Sequence, residues 1–226
     1  MNDLEDNRVA YLIMCIGNID GGDGTGDHLT GLTNASASSA TEVAGTVSNV
    51  EEFTGSGTFS GSGNFDIDGP NTGTVNSVRF NFSNLAGSTG SDSFTLNGGT
   101  LSGSIDGSAG TDTLTGDDKK NDWTVTGSNS GKVTGIGSFS GIENLVGGNS
   151  QDGFTLNGGT LSGSIKGNSG SDILTGDNNP NAWIVTGLNE GTVTGVGGGF
   201  TGIESLVGGE SVDSFVIEGG RWRGGM

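Results

Sequence analysis

From Phe94 the chain runs FTLNGGTLSGSI to Ile105, and from Phe154 it runs FTLNGGTLSGSI again to Ile165. The register persists beyond the identical stretch. Leu114 matches Leu174, Trp123 matches Trp183, Val125 matches Val185 and Val133 matches Val193, all at the spacing that separates Phe94 from Phe154. Gly141-Ile142-Glu143 then matches Gly202-Ile203-Glu204, with one residue added in the glycine stretch before Phe200. Drifted copies lie upstream: Phe65-Asp66-Ile67-Asp68-Gly69 stands at nearly the same distance before Trp123-Thr124-Val125-Thr126-Gly127, and Ser83-Asn84-Leu85 aligns with Glu143-Asn144-Leu145. Ile19-Asp20-Gly21-Gly22 echoes Ile105-Asp106-Gly107-Ser108, so repetition covers nearly everything after residue 18.

The unit divides again. Phe94, Leu114, Val133 and Phe154 follow at nearly even intervals, as do Ile105, Val125, Leu145 and Ile165. Short alternating segments such as Trp123-Thr124-Val125-Thr126 have the period of strands with one buried face. Gly-, Asn- and Asp-rich turns follow them. Glycine supplies 48 of 226 residues, which excludes long helices, because each interior Gly costs a helix roughly 1 kcal/mol. Gly does not recur every third residue, which excludes collagen. A strand set recurring every ~20 residues, three sets to a repeat of ~60 residues, predicts an all-β, right-handed parallel β-solenoid (a β-helix or β-roll). Its rival is a β-sandwich. On the solenoid reading Ile105, Val125 and Leu145 stack in one file. Residues 1–17 are expected to form a cap or edge segment and 18–226 one domain, with drifted repeats over 18–90 and clear ones over 91–226.

Eight Lys and Arg against 26 Asp and Glu leave a net charge of −18. Such a surface repels nucleic acid and anionic membranes. The apolar run at 9–16 falls far short of the ~20 residues that span a bilayer. Its flank, with Asp3, Glu5, Asp6 and Arg8, is acidic on balance, unlike a secretory signal. Cys15 is the only cysteine, so no disulfide forms within the chain.

Gly107-Ser-Ala-Gly110-Thr-Asp112-Thr-Leu114, Gly167-Asn-Ser-Gly170-Ser-Asp172-Ile-Leu174 and Gly87-Ser-Thr-Gly90-Ser-Asp92-Ser-Phe94 resemble the RTX nonapeptide G-G-x-G-x-D-x-U-x. The longer pattern, with Trp183-Ile-Val-Thr-Gly187 and Gly202-Ile-Glu-Ser-Leu206, resembles the β-strand repeats of large bacterial surface and secreted proteins of haemagglutinin or adhesin type. The resemblance implies a parallel β fold and display outside the cell. It also raises calcium as a ligand, with Asp92, Asp112 and Asp172 as candidate metal residues, supported by Asp117, Asp118 and Asp177. Here, however, the aspartates recur about once per coil of ~20 residues, where the RTX aspartate returns with every nonapeptide. Calcium takes six to eight oxygens, so capping of the turns by these Asp side chains is the competing expectation.

Trp123 and Trp183 are in phase with Val125 and Val185 and are expected in the core, against a sugar-stacking platform. Asn84 and Asn144 are expected in turns, and Glu143 and Glu204 as solvated neighbours of Ile142 and Ile203. The Thr series Thr95, Thr115, Thr134, Thr155, Thr175 and Thr194 has mostly one rank per coil, where ice-binding faces usually carry two. His28 is the sole histidine, so no repeated imidazole-based catalytic site exists. At the far end Trp222 and Met226 fall in register with Leu161 and Ile165, which leaves an uncapped coil and invites end-to-end association. The expected role is a structural or adhesive module of an exported bacterial protein, contacting a cell-surface or carbohydrate receptor. A calcium-binding RTX-like module is the alternative, and a polysaccharide-active or ice-binding solenoid a further one.

Overall fold

The computed structural model describes residues 2–3, 9–11, 18–36, 39–40 and 47–218, with side chains over 18–36 and 47–218. Most of the expected cap at 1–17, Cys15, Trp222 and Met226 lie outside the described residues. No helix occurs among those described, and the strands form sheets of 14, 11 and 3 strands in which most pairings are parallel.

From Ser93–Leu96 onward the chain alternates between the two large sheets. Ser93–Leu96 lies in the 14-stranded sheet, Leu101–Asp106 in the 11-stranded one, and Thr113–Thr115 returns to the first. The next pass is a three-stranded antiparallel meander in the smaller sheet, made of Asp122–Gly127, Ser130–Val133 and Ile136–Ser140. Asn144–Val146 then rejoins the larger sheet. Each pass pairs in parallel with the one two passes earlier. Phe94 sits on Leu114, Leu114 on Leu145, Leu145 on Ile165 and Ile165 on Phe200.

The uniform coil expected above is corrected by this register. The step between stacked rungs is short where a single strand intervenes, as from Phe154 to Leu174. It is much longer where a meander intervenes, as from Leu114 to Leu145 and from Ile165 to Phe200. Ile105, Val125 and Leu145 therefore do not share a file. Ile105 pairs with Leu85 and Phe139, Val125 with Leu156 and Gly131, and Leu145 lies in the opposite sheet. The physical reason is that alternation of apolar residues has the same period in a parallel rung and in a hairpin arm. The hairpins here turn through residues such as Asn129, held at φ 49°.

Each repeat makes five passes, an odd number, so equivalent residues of successive repeats fall on opposite sheets. Trp123 is in the smaller sheet and Trp183 in the larger. The meander switches sides with them: it spans 64–81 in the larger sheet, 122–140 in the smaller and 182–201 in the larger. Both sheets therefore lengthen at the same rate.

The core lies between the sheets, where side chains of one face meet those of the other, as Phe59 of the smaller sheet meets Phe53 and Phe80 of the larger at ring distances of 5.8 and 5.6 Å. Trp123 is 1% exposed and stacks on Phe154 at 5.6 Å and 13°, and Trp183 stacks on Phe215 at 5.4 Å and 7°. Both are core residues, as their phase indicated. Their indole Nε1 atoms are buried without a partner, although Trp usually finds one when buried. Phe65 holds the same place in the drifted copy, stacked on Phe94 at 4.5 Å. We therefore expect Trp123→Phe to cost less than about 1.5 kcal/mol in urea unfolding, since it removes an unsatisfied donor along with some area. Trp123→Ala should cost about 3–5 kcal/mol, and near-equal losses for the two variants would contradict this packing.

Candidate functional site

The repeated aspartates stand immediately before strands, and each directs one oxygen to a backbone N–H of the adjacent rung. Along the larger sheet Gly63 N donates to Asp92 Oδ1, Asp92 N to Asp112 Oδ1 at 2.7 Å, and Asp112 N to Glu143 Oε2 at 2.7 Å. Along the smaller sheet Asn121 N donates to Asp152 Oδ1 at 2.7 Å, Asp152 N to Asp172 Oδ1 at 2.7 Å, and Asp172 N to Glu204 Oε2 at 2.8 Å. Asn181 N and Asp213 Oδ1 make the same contact at 2.7 Å. Two ladders of carboxylates thus tie rung to rung where the chain enters each sheet.

This arrangement revises two expectations. Glu143 and Glu204 are not simply solvated. They continue the ladders, and their other oxygens accept from Asn129 Nδ2 and Asn189 Nδ2 in the meander turns. Asn84 and Asn144 act between rungs: Asn84 Oδ1 accepts from Ser104 N at 3.0 Å and Asn144 Oδ1 from Ser164 N at 3.0 Å. Asn71 and Asn129 do the same for Ser102 N and Ser162 N at 2.8 and 2.9 Å. The duplicated LSGSI is therefore held at both serines by asparagines of the preceding rung. Sequence reasoning missed the glutamates, although an acid one position before each strand was the available signal.

Glycine five residues before each aspartate makes the carboxyl pocket. A Cβ on Gly107 would meet Gly141 O and lie 2.7 Å from Asp112 Oδ2, and one on Gly167 would meet Gly202 O and lie 2.5 Å from Asp172 Oδ2. Gly116 and Gly176 stand in the same relation to Asn121 and Asn181, which are buried amide counterparts of the aspartates. Gly167→Ala should lower stability by about 1–3 kcal/mol through overpacking, whereas Gly158→Ala, with nothing within 4 Å but a φ of 73°, is a backbone-strain control expected to cost about 1 kcal/mol. Thermal melts of the two variants check the ranking.

The second oxygens fall into two classes. Asp92 Oδ2 accepts from Ser88 N at 2.6 Å, and Asp152 Oδ2 from Gly148 N at 2.7 Å. Asp112 Oδ2 and Asp172 Oδ2 are buried with no partner. In these two turns Ser108 and Asn168, which occupy the donor position, are at φ 72° and 66°. Ser108 N donates instead to Asp106 Oδ1 at 3.0 Å. Burial pushes the Asp172 carboxyl up to about 6, with the nearby charges of Asp152 and Glu204 adding to the shift against the Asp152 N–H. Burial likewise raises Asp112, reinforced by Glu143, Asp92 and Asp106.

Of the candidate metal residues, Asp92 and Asp112 are consecutive in one ladder, while Asp172 belongs to the other, across the core. The odd number of passes separates them. Among the described residues no three His, Cys, Asp or Glu side chains converge as a metal-binding group. Asp117 and Asp177 cap their own turns, accepting from Lys119 N at 2.9 Å and Asn179 N at 2.8 Å. Asp118 Oδ1 accepts from Asn149 Nδ2 at 2.8 Å. Beside the turn at Asp117 lies a polar groove of about 400 Å³, lined in part by Asn97, Asp117, Asp118, Lys119, Asn149 and Asn168. His28 Nδ1 lies 2.6 Å from Glu52, and Thr95 and Thr115 are adjacent in register before Val146 ends their row. No protein-family model matches the chain, and no curated protein or solved structure is significantly similar to it.

The two classes of aspartate respond differently to amide substitution. A carboxyl raised in the folded state favours folding most at low pH, and that contribution is lost as pH climbs from the ordinary value of 3.8 through about 6. Asp172→Asn retains the acceptor for Asp152 N and replaces the unpartnered oxygen by a donor, the arrangement Asn121 uses toward Asp117 O at 2.9 Å. It should hold or raise the melting temperature at pH 7 and flatten the dependence across that window. Asp152→Asn sets an NH2 against the Gly148 N–H and should cost about 1–3 kcal/mol. Equal destabilisation by both variants at neutral pH would refute the distinction.

Proposed function

We propose that the chain is a structural and contact module: a right-handed parallel β-solenoid, interrupted by meanders, that serves as an extended spacer or adhesive surface of an exported bacterial protein. The observation that carries the reading is the employment of the acidic side chains. The repeated carboxylates bind backbone N–H groups of neighbouring rungs, so the feature that looks most like a site is spent on holding rungs together. The polar groove beside Asp117 and Asn149, rich in amides and carboxylates, has the hydrogen-bonding character of a contact for polyhydroxylated ligands such as surface carbohydrate.

A spacer should lengthen and shorten by whole repeats. Residues 93 to 207 add seven strands to each large sheet over two repeats, so one repeat contributes about 17 Å at ~4.8 Å per strand. Deleting residues 94–153 joins Ser93 to Phe154 and restores FTLNGGTLSGSI in register. The shortened chain should keep its β-sheet circular dichroism, and its maximum dimension by small-angle scattering should fall by about 17 Å, the height of those strands. An unfolded product, or one of unchanged length, would count against the solenoid.

One observation favours an RTX-like calcium module as a second reading. Asp112 Oδ2, Asp172 Oδ2 and both carboxylate oxygens of Asp27 are buried without partners. On the structural reading Asp112 and Asp172 serve only the hydrogen bonds to Asp92 N and Asp152 N, and millimolar calcium leaves the melting temperature unchanged. A rise of many degrees, reversed by a chelator, would establish the metal reading instead.

A further inference from the structure

Asparagine followed by glycine occurs twice in the chain, at Asn97-Gly98 and Asn157-Gly158, each inside an identical FTLNGGTLSGSI. The pairs occupy the turns that leave Ser93–Leu96 and Gly153–Leu156, and both asparagines are exposed. Asn97 N and Gly99 N donate to Ile67 O, and Asn157 N donates to Val125 O. Among the described residues nothing accepts from Gly98 N or Gly158 N. These glycines stand at φ 78° and 73°, with no atom within 4 Å of where a Cβ would lie. Each glycine nitrogen is therefore unshielded and adjoins a side-chain amide open to water. The asparagines that precede serine are held instead. Asn76, Asn129, Asn149 and Asn168 direct Nδ2 to Ser62 O, Glu143 Oε1, Asp118 Oδ1 and Gly147 O.

The two turns differ in one neighbour. Asp66 pairs with Thr95, whereas Thr124 pairs with Thr155. Asn97 Nδ2 donates to Asp66 Oδ2 at 3.4 Å. That contact restrains the amide and sets a carboxylate against the negative charge that attack on Cγ would create. Asn157 has no side-chain hydrogen bond among the described residues.

We propose that Asn157-Gly158, and more slowly Asn97-Gly98, is a self-modification site at which the asparagine amide becomes a carboxylate through a cyclic imide. The glycine nitrogen attacks Asn Cγ, so that an N–Cγ bond forms and the Cγ–Nδ2 bond breaks. Ammonia leaves with the proton of the glycine N–H. Water then opens the imide. Cleavage of the new N–Cγ bond gives aspartate, and cleavage of the original peptide bond gives isoaspartate, with the main chain routed through Cγ. Each conversion adds a negative charge. At Asn97 that charge enters the polar groove beside Asp117, Asp118 and Lys119. This goes beyond the spacer reading and does not depend on it.

The duplicated sequence supplies an internal control. Folded and guanidinium-unfolded protein are held at neutral and mildly alkaline pH, and peptide mass mapping follows the replacement of NH2 by OH at each site. Unfolded, the two sites have the same neighbours along the chain and should convert at equal rates. Folded, Asn157 should convert first, with release of an equal amount of ammonia. The rate should rise with pH, because the attacking nitrogen must lose its proton, and isoaspartate should accompany aspartate. Asp66→Thr gives Asn97 the neighbour that Asn157 has and should raise its rate to that of Asn157, with an unchanged β-sheet spectrum confirming the fold. Asn157→Gln, which needs a larger ring, should silence that site alone. A folded chain inert at both sites while the unfolded chain converts, aspartate without isoaspartate, folded-state conversion of Asn97 as early as Asn157, or an unaltered Asn97 rate in Asp66→Thr would each overturn the proposal.

Discussion

The structure depends on satisfying backbone N–H groups at the points where the chain enters each sheet. Within a strand the parallel ladder does this, but at the entrance the chain is still turning and the regular partner is lost. A carboxylate from the neighbouring rung supplies the acceptor, and hydrogen bonds to charged groups contribute about 1.5–3 kcal/mol each. The contact from Asp92 N to Asp112, repeated from Asp152 N to Asp172, also fixes register, because a rung displaced by one residue would lose the bond. A chain with only 30% hydrophobic residues has little apolar surface to bury, and these polar ties supplement the core at both rims.

Glycine makes the ties possible. The carboxyl group sits under the backbone of its own turn, with a carbonyl of the next rung close by, and the space between holds no side chain. Gly107 beneath Gly141 and Gly167 beneath Gly202 show that this glycine is required by close approach, whether or not its φ is unusual. The same geometry separates the aspartates into two kinds. Where the following rung ends a meander, the residue in the donor position, Ser108 or Asn168, stands at positive φ, and Ser108 N donates to Asp106 Oδ1 rather than to the second oxygen. Asp112 and Asp172 are left with an unpartnered oxygen while Asp92 and Asp152 are fully bonded.

The repeat, the inward phase of Trp123 and Trp183 and the mainly parallel pairing were legible in the sequence, because each follows from periodicity and burial. The length of the rungs was not. Trp123-Thr-Val-Thr and Gly131-Lys-Val-Thr alternate like any rung, and only the turn at Asn129 distinguishes a hairpin from a crossing between sheets. The ladder was legible in part. Turn-capping by aspartate was foreseeable, but its reach to the next rung was hidden, because the donor to Asp112 lies 20 residues upstream and its own amide donates 31 residues downstream, to Glu143. Those unequal steps are the meander again, so the error over coil length also concealed the role of the glutamate.

The odd number of passes explains why the repeating unit is larger than one pair of passes between the sheets. If every unit ended on the sheet where it began, each meander would widen the same sheet, and the two walls of the core would fall progressively out of step. Five passes send the next meander to the other wall, as the succession of meanders at 64–81, 122–140 and 182–201 shows. Balance is restored only after every second unit. The described chain has two meanders in one wall and one in the other, so the walls differ in length, at 14 and 11 strands. The longer wall ends in Ser214–Ile217, whose apolar side chains stand exposed at the rim, where among the described residues no further strand covers them.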